Sequence, residues 1–370
     1  MKRLLMASLI APIGLVSPPL RAQRPSLPPE IPFDSVGDYF KYPPEMNLGE
    51  MAAVAVNSKG HVFMLSRSNI SGPAFGAIAT EVLEFDENGK YLREIGKGLY
   101  GFVYGHGIRI DRDDNIWVVD KGSNMVMKFN PIGHVTMVLG RKEENVDEHE
   151  YPKRGPAWTP PRHQDNYFNQ PTDIAWDAAG SMYISDGYQN SRIAKVDKNG
   201  DWVTSWGSRG TQPGQFNTPH NIGVDRNGTV YVADRGNARI QAFDADGKYL
   251  RTIKIDVPAP VGARRVLGGT PEVPDEAGAQ APGAPWTICI TQGPTQYLYT
   301  SDAFPGRIYK LTLDGKVVGM LGRAGRPLKQ FNWLHSIACP SENQLYVADL
   351  NNWRVQKLML HPEQSTTSSR

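Results

Sequence analysis

The 370-residue chain carries 40 Lys and Arg against 38 Asp and Glu, a formal net charge of +2, which offers no electrostatic footing for nucleic acid. Its two cysteines exclude a disulfide-dense scaffold, so a hydrophobic core must hold the fold. Length alone suggests two or three domains, but propellers and barrels often exceed that prior as single units.

Lys2 and Arg3 precede an apolar run from Leu4 to Val16, and Leu20-Arg21-Ala22 stands before Gln23. Met1 to Ala22 therefore reads as a secretory signal peptide, which predicts a secreted or periplasmic protein. The run is shorter than the roughly 20 apolar residues a membrane span needs, and no later stretch approaches that length. Removing the leader takes away Lys2, Arg3 and Arg21 and no acid, so the formal charge falls from +2 to −1.

From residue 48 to 360 one phrase recurs: an apolar strand, a Gly or Asn turn, a second strand and a terminal Asp. The clearest copies are GHGIRIDRDDNIWVVD ending at Asp120, PTDIAWDAAGSMYISD ending at Asp186 and PHNIGVDRNGTVYVAD ending at Asp234. Looser copies end at Asp302 and Asp349, and a degenerate first copy, AAVAVNSKGHVFMLS, ends at Ser66. A third strand then opens on Arg192, Arg239, Arg307 or Arg354, and a fourth usually follows an Asp-Gly or Asn-Gly turn, as in FDENGKYLREIG and VDKNGDWVTSWG. Four-stranded units at this spacing predict an all-β, six-bladed propeller of antiparallel blades. The last copy stops after its third strand, so the segment 23–47 is expected to supply the missing outer strand around Asp38 to Tyr42 and to close the ring. Residues 361–370 read as a tail. Two interruptions, Arg141 to Asp165 and Val257 to Pro285, lack strand periodicity and read as surface loops near the mouth of a site.

Fourteen residues before Asp120, Asp234 and Asp349 stand His106, His220 and His335. The same count gives Thr172 in the third unit and Ala52 in the first, so histidine occupies alternate blades at the entry to the innermost strand. Alternate blades of a six-blade ring lie about 120° apart by symmetry, which aims three imidazoles at one point on the axis. Three neutral imidazoles with one open position form the usual catalytic zinc set, and the absence of thiolate or carboxylate partners favours zinc. A single histidine would ordinarily be a partly buried structural residue; three at one repeat position argue otherwise. The other five histidines, His61, His134, His149, His163 and His361, share no register and read as surface or turn residues.

Arg192, Arg239, Arg307 and Arg354 recur with the blade and read as partners of its Asp. Arg67 and Arg235 instead follow the terminal position directly, where units three, five and six have Gly187, Ala303 and Leu350. A cation there would face the axis and clamp an anionic group. Tyr188 lies in a turn one residue longer than in the other copies, and cations beside it would favour a phenolate able to act as a base.

On YGHGIRIDRDDNIWVVD, FNQPTDIAWD, ISDGYQNSRI, GQFNTPHNIGV, VADRGNARIQAF and the His335 unit, the chain resembles the peptidyl-α-hydroxyglycine α-amidating lyases within the NHL-repeat group. The resemblance covers roughly Gly49 to Leu358. It implies zinc on His106, His220 and His335, Tyr188 as base with Arg67 and Arg235 beside it, and no organic cofactor. It also implies a peptide or similar α-hydroxylated amide as substrate, cleaved at the N–C bond to an amide and glyoxylate. The chain departs from that family at Trp333, where the family has Met, at Gln189, where a disulfide cysteine is absent, and at Ser336, where the loss of an Asp puts a structural calcium in doubt. A monomer without nucleic-acid or membrane partners is expected, with Cys289 and Cys339 as buried free thiols. The rival expectations are a non-catalytic NHL propeller that binds protein or glycan around a structural metal, and a lactonase-type propeller, whose carboxylate and Asn metal sites differ from three histidines.

Overall fold

The computed structural model describes residues 27–68, 79–142, 165–266 and 278–364. The expected leader and most of the Arg141 to Asp165 interruption lie outside these residues, as do His149 and His163.

The described strands form six four-stranded antiparallel sheets, the blades of a propeller. In the first five, four consecutive strands run outward in chain order, beginning with the inner strands Glu50–Val56, Gly105–Ile110, Asp173–Trp176, Pro219–Val224 and Cys289–Ile290. The second strands are buried almost throughout, and Ile116–Asp120, Met182–Asp186 and Val230–Asp234 at every residue, which explains why they read as largely apolar runs rather than alternating ones. The core consists of six apolar clusters, one between each pair of neighbouring blades. Every blade therefore depends on both neighbours for burial, and the sixth seam, where Tyr346 and Val355 meet Met51 and Phe85, closes the ring.

The repeat's terminal Asp ties each blade together. Asp186, Asp234 and Asp349 accept from the backbone N–H of Asn169, Asn217 and Asn332, seventeen residues earlier, and pair with Arg192, Arg239 and Arg354. Arg307 departs from the expected pairing: its guanidinium donates to the Pro258 carbonyl, and the Tyr309 hydroxyl takes its place on Asp302 at 2.6 Å.

The sixth blade has inner strands Leu334–Ser341, Gln344–Asp349 and Arg354–Leu360, and its outer strand is Phe33–Ser35. The closing strand thus lies upstream of the expected Asp38 to Tyr42. Those residues do something else. Phe40 is buried in the seam between blades six and one, and Lys41 bridges Lys90 on blade one. Upstream, Ile31 enters the seam between blades five and six, with its N–H on the Met320 carbonyl. One short segment clasps three blades.

Cys289 and Cys339 are not free thiols, as expected above, but a disulfide between the inner strands of blades five and six, with Cα atoms 6.0 Å apart. Inner strands converge towards the axis, so facing positions on neighbouring blades come within bridging reach. Among the described residues no helix is long and apolar enough to cross a membrane.

Removing residues 23–35 should lower the thermal midpoint by about 5 °C or more and promote self-association through the uncovered Arg354–Leu360 edge. Scanning calorimetry and light scattering check this, and an unchanged midpoint would show that the clasp is dispensable. Replacing both cysteines by alanine should cost about 2–4 kcal/mol in a denaturant titration, because the bridge closes a loop of 50 residues.

Candidate metal centre and its cationic rim

The three histidines gain their aim from a local irregularity. In blades two, four and six the ladder between the first two strands slips at one residue, between Gly105 and Gly107, Pro219 and Asn221, and Leu334 and Ser336. The unpaired residue in each case is the histidine, and a bulge of this kind re-aims its side chain. Ala52 holds the same position in blade one.

All three rings are buried and meet on the axis, with centroids 4.7, 4.8 and 4.9 Å apart. One ring nitrogen from each lies within 4.8 Å of the others. The opposite nitrogen is fixed across a blade seam: Nδ1 of His106 donates to the Thr172 carbonyl at 2.7 Å, His220 to Trp286 at 2.7 Å and His335 to Ala52 at 2.6 Å. Blades two, four and six supply the imidazoles, and blades three, five and one supply the acceptors. Gly107 permits the first of these bonds, since a Cβ there would stand 2.8 Å from the Thr172 oxygen.

With Nδ1–H committed, each Nε2 carries its lone pair inward. The Nε2 of His220 is buried without any hydrogen-bond partner, a state a ligating atom would resolve. Burial, and then neighbouring histidines and cations, hold all three imidazoles well below their ordinary range, so they are neutral at pH 7 as metal ligands must be. This donor set can hold an ion such as zinc at about 2.0–2.1 Å after small ring adjustments.

Tyr188 stands beside the triad, its hydroxyl 3.2 Å from His106 Nε2. The turn that carries it passes so close to blade four that a Cβ on Gly187 would lie 2.0 Å from the Pro219 oxygen. Burial alone would raise the phenol, but Arg235, Lys121 and Arg67 outweigh it and hold it below its ordinary value. Arg235 lies over Trp286 at 4.1 Å and over Tyr188 at 5.4 Å, with its Nε buried and unpartnered. Arg67 is one step removed: it covers the Tyr104 ring at 4.0 Å, donates to the Gly105 carbonyl and pairs with Glu50 at 2.9 Å.

Lys121 was not among the expected site residues. Its ammonium sits 4.1 Å from the Tyr188 ring and 5.0 Å from that of Tyr104. Burial, with help from Arg67 and Arg235 and against the pull of Tyr188, lowers it from its ordinary value. The signal was available, because Lys121 follows Asp120 in the same register as Arg67 and Arg235. Trp286 was also missed; its ring lies 4.9 Å from His220 and 5.0 Å, edge-on, from Trp333, so the substituted tryptophan completes an aromatic wall.

Further along the inner strand of blade two, Arg109 fills the axis. Its guanidinium meets both oxygens of Asp173, Asn221 Oδ1 and the carbonyls of Ile222 and Ile288. Ser336, at the position tied to calcium, faces the Val54 N–H at 3.5 Å. Of the remaining histidines, His61 pairs with Glu84, and His361 with Asp34 at the surface.

Residues 216–243 match the NHL repeat model. The peptidylglycine alpha-amidating monooxygenase of Rattus norvegicus is 33% identical over 230 residues, 56% of this chain and 22% of its own length. Peptidyl-alpha-hydroxyglycine alpha-amidating lyase 1 of Drosophila melanogaster is 26% identical over 282 residues, 73% of this chain and 47% of that protein. Over part of its length the chain is similar to proteins named peptidyl-α-hydroxyglycine α-amidating lyase. It matches less than two thirds of the length of these curated lyase and monooxygenase relatives, about a fifth in the rat protein. Among solved structures, virginiamycin B lyase from Staphylococcus aureus shares the fold, with a TM-score of 0.54 and 14% identity over 90% of this chain and all of that one.

Below the ordinary histidine value of 6.5 the unfolded chain binds protons that the folded triad resists, so stability falls as pH drops. Metal-free protein should lose thermal midpoint between pH 7 and pH 5 more steeply than the His106→Asn/His220→Asn/His335→Asn variant. Parallel slopes in the two proteins would contradict the shifts.

Proposed function

We propose that this protein is a zinc-dependent carbon–nitrogen lyase that cleaves the N–C bond of a peptidyl-α-hydroxyglycine, or a similar α-hydroxylated amide, to an amide and glyoxylate. The observation that carries this reading is a phenol flanked by three cations and placed 3.2 Å from a ring of three neutral histidines. His106, His220 and His335 would hold the zinc, whose charge would make the substrate's α-hydroxyl acidic.

The chain's own residues perform the rest. The Tyr188 phenolate accepts the proton from the α-hydroxyl oxygen. As that oxygen forms a carbonyl, the C–N bond breaks and its electron pair passes to the amide nitrogen, which takes a proton. Atoms and electrons balance without an oxidant. Arg235, with an unpartnered Nε, holds the carboxylate of the glycine unit, and Arg67 reinforces the positive field from behind Tyr104. Trp286 and Trp333 wall the site and exclude water. A binding propeller with a purely structural metal would leave the tyrosine and its cations without a task. The disulfide suits the secreted or periplasmic location that the leader suggests.

The test is glyoxylate release from a peptide ending in α-hydroxyglycine by metal-loaded protein. Chelation and His220→Ala should abolish it, and Tyr188→Phe should lower kcat about 10²–10⁴-fold, the usual range for loss of a general base. A wild-type protein that releases no glyoxylate would remove the lyase assignment.

A further inference from the structure

We propose that the rim above the histidines binds a second carboxylate, so that the preferred substrate carries an acidic group near the reacting carbon in addition to the carboxylate of the α-hydroxy acid unit. This rests on the lyase reading for the nature of the substrate, but the charge argument stands on its own.

Three cations follow the terminal position of blades one, two and four: Arg67, Lys121 and Arg235. The same position is Gly187, Ala303 and Leu350 in blades three, five and six, so the fold does not require a cation there. Nor does the adjacent aspartate hold Lys121, because Asp120 is occupied by the N–H groups of Val103, Tyr104, Gly122 and Ser123. Arg67 has a carboxylate partner in Glu50. Among the described residues no carboxylate forms an ion pair with Lys121 or Arg235, although both crowd the Tyr188 ring. Their shared neighbour Tyr188 brings one negative charge at most, as phenolate, and none once it has taken a proton; half-buried cations without a carboxylate partner are costly to maintain and mark a place where a ligand brings the anion. When Tyr188 has accepted the proton of the α-hydroxyl, one carboxylate on the ligand satisfies Arg235 and leaves Lys121 unmatched. Lys121 is then the specificity residue for the second.

The probes are glycolate, which has an α-hydroxyl and one carboxylate, and 2-hydroxysuccinate and 2-hydroxyglutarate, which add a second at two distances. Calorimetric titration of zinc-loaded protein at low salt should show at least one dicarboxylate binding about 10-fold tighter than glycolate, the size of one charge-assisted contact. In Lys121→Met that dicarboxylate should bind within about threefold of glycolate, and Lys121→Arg should restore the preference. Equal affinities in the wild type overturn the proposal. A preference that survives in Lys121→Met also overturns it, since the extra carboxylate would then be reaching the metal. If Lys121→Met does not fold, Lys121→Gln makes the same comparison. Binding is read without turnover, so a failure of glyoxylate release would strike the lyase reading and leave this result to stand or fall separately.

Discussion

The centre depends on hydrogen bonds that cross the blade seams. Each imidazole is tethered by Nδ1 to a carbonyl on the next blade, at 2.6 to 2.7 Å, and that bond fixes both its tautomer and its angle. No blade holds its own histidine in place. A second layer repeats the device one residue further along the inner strands. The side chains of Asp173, Asn221, Thr287 and Ser336 accept from the backbone N–H of Ile222, Ile288, Ile337 and Val54, each on the following blade. The integrity of the ring and the geometry of the site are therefore one property.

This coupling gives the closure devices a functional meaning. The clasp formed by Ile31, Phe33–Ser35 and Phe40 spans the two seams that flank blade six, and the disulfide crosses one of them. His335 stands in that blade and reaches Ala52 in the next, across the seam where the two ends of the ring meet. Chain ends are where a closed ring would otherwise open first. Reinforcement is concentrated where loosening would displace one of the three imidazoles.

Much of this was legible in the sequence because the repeat acts as an internal ruler. Six units, the alternate-blade histidines and the odd residues Arg67, Arg235 and Tyr188 all emerge when equivalent positions are compared. Lys121 stands on the same ruler and is found by applying it to blade two. Trp286 is harder, since the inner strand of blade five shrinks to Cys289–Ile290 and its register shifts by two residues from the simple count. The closing strand was misplaced because Tyr39, Phe40 and Tyr42 look more strand-like than Phe33–Ser35, yet their aromatic rings serve a seam and not a ladder. The disulfide was missed because bridging depends on the convergence of inner strands, a three-dimensional distance that one-dimensional spacing does not report.

Electrostatics divides the axis into two zones with opposite logic. In the deeper one, Arg109 is saturated by a carboxylate, a side-chain amide and two carbonyls, so that its charge is spent inside the protein. Around the histidines the balance is reversed: among the described residues three neutral imidazoles and three cations have one carboxylate, that of Glu50, in an ion pair, and one buried arginine nitrogen has no acceptor. Such an imbalance is costly inside a folded protein and is characteristic of places where a ligand completes the charge balance. The deeper zone is finished by folding. The upper one is left for ligands, and the same positive field that would draw an anionic acid into it also lowers the phenol that would remove its proton, so recognition and activation come from one set of charges.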